Sequence, residues 1–322
     1  MSQPTPTVLS ELETEVVVSA RTRPAGDTVE LTLTNAAGSP LPPWTPGAHI
    51  DLLLGDDLVR QYSLCSSPGD PSSYRVAVLL APDSRGGSKA VHALSEGATV
   101  RMRGPRNNFP LVSSTRYLFI AGGIGITPML PMIEEADAAG ADWHLHYGGR
   151  SRDSMAYADR LAALGDRVTL VPQDEAGLLD VAGILAHPDP ETLVYCCGPE
   201  PLLAVVEEHC RSWPSGSLHL ERFAAKPVEH EGQDASFELV LQRSGLTLTV
   251  PADRTVFDTM RDAGVSVLGS CLEGICGTCE TGVLEGEVEH RDSVLDADEQ
   301  EAMDCMMVCV SRSRGARLVL DA

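Results

Sequence analysis

Three cysteines, Cys271, Cys276 and Cys279, stand in the spacing C-x4-C-x2-C, and Cys309 follows after a gap of 29 residues. Three thiolates from one tight loop and a fourth from a distant part of the chain is the plant-type [2Fe–2S] pattern. A loop that wraps so compact an anionic group needs small residues. Ser270, Gly274, Gly277 and Thr278 supply them, and glycine admits backbone angles that turn N–H groups toward the sulfurs. Zinc sites usually pair two short cysteine motifs, and only one is present. Spacing alone leaves Cys305 and Cys309 both open as the fourth ligand.

The 322 residues exceed one ordinary domain, and the texture changes twice along them. Short alternating runs at 15–20, 28–34, 49–54 and 74–80, separated by Gly and Pro clusters, predict a small antiparallel barrel over 1–112. Over 113–224, apolar runs at 117–121, 144–147, 168–171 and 193–196 are interleaved with helical stretches at 129–139, 156–164 and 201–210. That alternation predicts a parallel α/β sheet. The polar stretch AAKPVEHEGQD predicts a linker, taken as 225–234. The last segment, 235–322, opens with a hairpin pattern at 237–242 and 246–250, then a helix at 256–263, then the cysteines. The chain is expected to be a multidomain α/β plus β protein.

Net charge bears on partners. At −22, with lysine only at Lys89 and Lys226, the surface repels nucleic acid and anionic lipid. It suits either solubility or a basic protein partner. No apolar run reaches the roughly 18 residues of a membrane span. The first 15 residues lack a basic region and an apolar core, so no secretory signal is expected. Nine cysteines without a disulfide framework then predict a reducing, cytoplasmic setting.

Four further motifs suit a flavin and a nucleotide. Arg60-Gln61-Tyr62-Ser63 ends a barrel strand. Arginine can fork onto a phosphate, an aromatic ring can stack on a flat isoalloxazine, and a hydroxyl can hydrogen-bond a ring nitrogen. Taken alone, the motif reads equally as a surface arginine beside a barrel tyrosine. Arg85-Gly86-Gly87-Ser88 offers backbone N–H groups to a phosphate, or is an ordinary turn. Gly122-Gly123-Ile124-Gly125-Ile126-Thr127-Pro128 lies between a strand and a helix, where a pyrophosphate binds, although it is not the G-x-G-x-x-G fingerprint. Cys196-Cys197-Gly198-Pro199 closes another strand. Cys196 reads as a packed core residue, whereas Cys197 can approach a nicotinamide if the other motifs converge on it.

The order of motifs is more specific than any one of them. RQYS, RGGS, GPRNNFPL, GGIGITPM, YGGR, CCGP, LERF, CLEGICGTC and MMVCVSR follow one another once each. From about residue 15 to the C-terminus the chain resembles the phthalate dioxygenase reductase family, and within it the vanillate-demethylase-type reductases. The resemblance implies an antiparallel flavin-binding β-barrel, a parallel α/β NADH-binding domain and a C-terminal plant-type ferredoxin (β-grasp) domain. It implies FMN rather than FAD, NADH, a [2Fe–2S] cluster, and a terminal oxygenase as electron acceptor.

By the same resemblance, Arg60 and Ser88, with Gly87, match flavin phosphate positions, and Tyr62 and Ser63 match residues beside the ring. Gly122, Gly123, Thr127, Arg150, Cys197 and Gly198 match the nucleotide site. Phe223 matches an aromatic on the nicotinamide side, so Ser63, Cys197 and Phe223 are expected closest to the reacting rings. In the family the fourth cluster ligand directly precedes V-S-R, which selects Cys309. One departure is Leu79, where some relatives carry a lysine near the flavin phosphate. Arg150 and Arg152 have the charge to hold a 2′-phosphate, yet the resemblance favours NADH. Other acceptors, such as a haem monooxygenase, or a permanent electron-transfer subunit, fit the same motifs.

Overall fold

The computed structural model describes residues 13–55, 58–82, 84–226, 234–295 and 297–322. Most of the stretch expected as a linker, residues 227–233, lies outside the described residues. The chain forms two compact units, one up to Glu221 and one from Arg222 to Ala322.

The first unit begins with six antiparallel strands: β1 (Glu13–Ala25), β2 (Thr28–Asn35), β3 (His49–Leu53), β4 (Val59–Ser63), β5 (Tyr74–Leu79) and, after helix α1 (Gly87–Ala93), β6 (Thr99–Arg106). Their order is β4-β3-β6-β1-β2-β5, and a single bridge between Leu64 and Val76 joins the two edges into a barrel. Alternation drives this. Val16 and Val18 of β1, and Val29, Leu31 and Leu33 of β2, point inward with Ile50, Leu52, Val76 and Met102, as the two-residue period of a strand requires.

Five parallel strands follow: β7 (Arg116–Gly122), β8 (Asp142–Gly149), β9 (Val168–Pro172), β10 (Thr192–Cys197) and β11 (Leu218–Glu221), in the order β11-β10-β7-β8-β9. Helices α2 (Ile126–Ala138), α3 (Ala158–Ala162), α4 (Gln173–Ala176), α5 (Val181–Ile184) and α6 (Glu200–Cys210) connect them. Phe119 and Ala121 pack against α2 residues such as Met129 and Ile133, while Ile120 and Cys196 pack against Leu203 and Val206 of α6. The sheet is thus buried on both faces, as parallel sheets require. The core on the α2 face also takes in Cys65, Ala77 and Phe109 from the barrel segment. Helix α2 starts three residues before the expected 129, because Pro128 falls in its first turn, where the missing N–H costs nothing.

The second unit holds β12 (Phe237–Leu241), β13 (Leu246–Val250), α7 (Val256–Asp262), β14 (Glu280–Glu285), β15 (Val288–Glu289), α8 (Ala297–Ala302), β16 (Cys305–Met307), β17 (Arg312–Ser313) and β18 (Arg317–Leu320). The main sheet runs β13-β12-β18-β14-β16, with β18 parallel to β12. Helix α7 is capped by Thr255, whose Oγ1 accepts from the Asp258 N–H. It buries Val256, Phe257 and Met260 in a core that also contains Cys279 and Cys309. Among the described residues no helix is long and apolar enough to cross a membrane.

Candidate functional site

In the second unit the loop between α7 and β14 carries Cys271, Cys276 and Cys279, and Cys309 stands after β16. The thiols are mutual neighbours: Cys271 with Cys276 and with Cys309, and Cys279 with Cys309. Four thiols that converge in this way are the ligand set a plant-type [2Fe–2S] cluster would need. Among the described residues no group of three or more His, Cys, Asp or Glu is arranged to hold a single metal ion.

The loop is shaped for the sulfurs. Gly274 has φ +69, and a Cβ there would lie 2.6 Å from Val310 Cγ2, so only glycine lets the turn close. The Glu273 N–H donates to Cys271 Sγ at 3.3 Å. Hydrogen bonds from the Cys276 and Cys309 thiols pull the Cys271 thiol down to about 3, against the opposing effect of its burial. Cys305 sits apart, with Glu280, Asp304 and Glu299 as its charged neighbours; burial first, and then those carboxylates, push its thiol up to about 11. None of the nine cysteines forms a disulfide.

In the first unit the parallel sheet reverses direction of growth at β7. The chain runs from β7 outward through β8 and β9, then returns to place β10 and β11 on the other side. Ligands of such sheets bind outside the carboxyl ends of the strands at this switch point. The two Gly-containing turns meet there. A Cβ on Gly122 would lie 2.7 Å from Pro199 Cδ, and one on Gly125 would lie 2.2 Å from the Cys197 carbonyl oxygen. Gly122 and Gly125 are therefore packed against Cys197, Gly198 and Pro199, whereas a Cβ on Gly123, in the same turn, would meet nothing within 4 Å. Thr127 is buried in the first turn of α2, its hydroxyl donating to the Ile124 carbonyl at 3.0 Å. Arg150 follows directly on β8 at the same edge of the sheet, and its carbonyl accepts from the Asp174 N–H.

Arg60, Tyr62 and Ser63 lie on β4. Arg60 donates to the carbonyls of Val59 (2.8 Å) and Arg85 (3.3 Å), which holds the R-G-G-S loop beside it. Gly87 packs so close that a Cβ would fall 2.5 Å from Arg60 Cγ. The Ser88 hydroxyl accepts from the Ala81 N–H at 3.2 Å. Burial pushes the Tyr62 hydroxyl up to about 12, so it stays protonated at neutral pH. A guanidinium, a ring and a hydroxyl thus share one strand and the loop behind it, a donor set of the kind that can hold a flavin nucleotide.

The residue that joins the barrel to the switch point is Glu221, which drew no role from the sequence although it is the acidic member of the LERF motif. β10 and β11 pair Cys197 with Glu221. The Ser63 hydroxyl donates to Glu221 Oε2 at 3.4 Å, and the Cys197 thiol lies 3.9 Å from the same oxygen. Burial pushes the Glu221 carboxyl up to about 8, against the two hydrogen bonds. Burial, and then the Glu221 charge, push the Cys197 thiol well above its usual value. Cys197 is fully buried, so it is a neutral thiol and not a nucleophile. Phe223 follows the end of β11 by two residues and is exposed.

A family profile for a 2Fe-2S iron-sulfur cluster binding domain matches residues 239–314, and one for an oxidoreductase NAD-binding domain matches residues 119–208. The chain is 42% identical over 315 residues to the vanillate O-demethylase oxidoreductase of a Pseudomonas species, covering 95% of this chain and 99% of that one. It resembles the crystal structure of an intact type IV self-sufficient cytochrome P450 monooxygenase with a TM-score of 0.90 at 43% identity; the match covers 99% of this chain but only 43% of that one. It also resembles phthalate dioxygenase reductase, whose structure is described as modular for electron transfer from pyridine nucleotides to [2Fe-2S], with a TM-score of 0.70 at 35% identity over 96% of this chain and 98% of that one. The chain belongs to the phthalate dioxygenase reductase family, the NADH-dependent oxidoreductases that supply oxygenases with electrons through a flavin and a [2Fe–2S] cluster.

Proposed function

We propose that this chain is the cytoplasmic reductase component of a Rieske non-haem iron oxygenase or aromatic O-demethylase, with FMN as its flavin. The reading is carried by one observation, the convergence of the four thiols in a chain that matches a vanillate O-demethylase oxidoreductase over 99% of that protein's length. Cys271, Cys276, Cys279 and Cys309 are assigned as cluster ligands. Arg60, Gly87 and Ser88 are assigned to the flavin phosphate, and Tyr62 and Ser63 to its ring. Gly122, Gly123, Thr127, Arg150 and Gly198 are assigned to the dinucleotide, and Cys197 and Phe223 to the nicotinamide side. Held by these residues, a flavin would supply acceptance of hydride from NADH and a [2Fe–2S] cluster would supply one-electron relay.

The protein's own work is positioning and electrostatics. Arg60 supplies the charge for a terminal phosphate, which suits FMN. The Ser63 hydroxyl, held by Glu221, fixes the floor of the reaction site. With its carboxyl pushed up to about 8, Glu221 is neutral below that pH, so no fixed negative charge opposes hydride arrival. Arg152 is engaged by Asp159 at 2.9 Å, which fits preference for NADH over a 2′-phosphorylated nucleotide. In the second unit, 17 Asp and Glu stand against seven Arg from residue 234 onward, so a basic docking face on the oxygenase is the complementary partner. The acidity also speaks against nucleic acid and anionic membranes as partners. A second reading, reductase to a haem monooxygenase, draws on the likeness to the P450 chain.

Cys271→Ser tests the assignment. The variant is expected to lose iron–sulfur absorption and the reduction of one-electron protein acceptors, while NADH still bleaches its flavin. An intact cluster spectrum in the variant, or loss of flavin reduction along with the cluster, would overturn the scheme.

A further inference from the structure

A polar group elsewhere in the first unit has no part in that scheme. Tyr157, at the start of α3, has φ 62 and ψ 14, a left-handed conformation that a bulky residue rarely adopts. Such backbone persists only where its surroundings over-determine it. Here they do. The Tyr157 hydroxyl donates to Glu30 Oε2 at 2.6 Å, within the short range of bonds to a carboxylate. Glu30 lies on barrel strand β2, is 8% exposed, and also accepts from the Thr22 hydroxyl at 3.3 Å and faces Arg75 at 3.8 Å. Cys65 Sγ lies 3.6 Å from the same tyrosine oxygen and 3.3 Å from the Arg75 carbonyl. A backbone bond from the Gly26 N–H to the Asp153 carbonyl lies alongside.

These contacts cross from the barrel to the parallel-sheet region at a telling place. Cys65 is two residues beyond Ser63, at the ring end of β4. Tyr157 is seven residues beyond Arg150, in the segment that leaves β8 at the nucleotide edge. We propose that Tyr157 is a positioning residue for hydride transfer: its hydrogen bond to Glu30 latches the nucleotide-carrying segment to the flavin-carrying barrel. It touches neither cofactor. It acts by fixing the distance between them, and a misplacement of about 1 Å between reacting groups costs up to about a hundredfold in rate.

The inference rests on the NADH-to-flavin reading, and the test separates the two. Flavin reduction is followed by stopped flow in the holoprotein over a range of NADH concentrations, for the wild type, Tyr157→Phe, Glu30→Ala and Glu30→Gln. Wild-type flavin that NADH does not reduce would sink the functional reading. Given that it is reduced, Tyr157→Phe and Glu30→Ala are expected to lower the limiting rate by between about threefold and a hundredfold. NADH affinity and flavin and cluster content should stay as in the wild type. Glu30→Gln keeps an acceptor for the tyrosine and is expected to retain the wild-type rate. The double variant Tyr157→Phe with Glu30→Ala is expected to be no slower than either single one, because both remove the same bond. An unchanged limiting rate in Tyr157→Phe, or additive losses in the double variant, would overturn the latch.

Discussion

At the scale of single residues, Glu221 has the clearest consequence. Its carboxyl is raised from the ordinary 4.5 to about 8 by burial. The folded chain therefore keeps a proton that the unfolded chain has lost between those values, and stability falls as pH rises from about 4.5 to about 8. Glu221→Gln removes this titration. The variant is expected to gain urea resistance relative to the wild type at pH 8 and to show little difference at pH 4.5. Unfolding midpoints at the two pH values read this out, and an equal difference at both would contradict the burial argument. The sequence did not reveal Glu221, because a charged residue at a strand end is ordinarily solvated. The register that pairs it with Cys197 sets it beside Ser63, where it is only partly exposed. Cys271, Cys276 and Cys279, by contrast, stand out by their spacing, whereas Cys309 is separated from Cys305, and Cys197 given a role, only through the resemblance to the family.

At the scale of elements, the two turns at the switch point depend on touching backbones. Gly125→Ala would set a Cβ 2.2 Å from the Cys197 carbonyl oxygen. The turn after β7 must then move off the end of β10, at an overpacking cost of about 1–3 kcal/mol. NADH binding is expected to weaken by roughly tenfold or more, since about 1.4 kcal/mol is a factor of ten. Flavin and cluster content should be kept. The NADH dependence of flavin reduction measures this, and wild-type dependence would mean that the contact does not shape the site. The glycines announced that turn in the sequence, as did the alternation of β1, β2, β3 and β5. Other elements were silent. β6 reads TVRMRGPR, with arginines on the outward face and a Gly-Pro inside it, so its apolar half is too sparse to stand out. β14, β16 and β18 are three to six residues long and take their strand state from pairing across the sheet, a long-range effect that local pattern does not carry.

At the scale of the whole molecule, charge and connectivity govern. An acidic cluster-bearing unit would attract the proposed basic docking face over a distance set by screening, about 10 Å at 0.1 M salt. Turnover with the partner oxygenase is expected to fall steeply as ionic strength rises, whereas reduction of a small neutral dye by the same preparation should change little. Turnover indifferent to salt would remove the steering argument and leave acidity as a solubility feature. The central claim is the continuous electron path from NADH to the cluster within one chain. Its most direct test is the anaerobic visible spectrum of the purified holoprotein before and after NADH. The flavin bands and the broad iron–sulfur absorption are both expected to bleach; flavin bleaching with the iron–sulfur absorption unchanged would break the path between them.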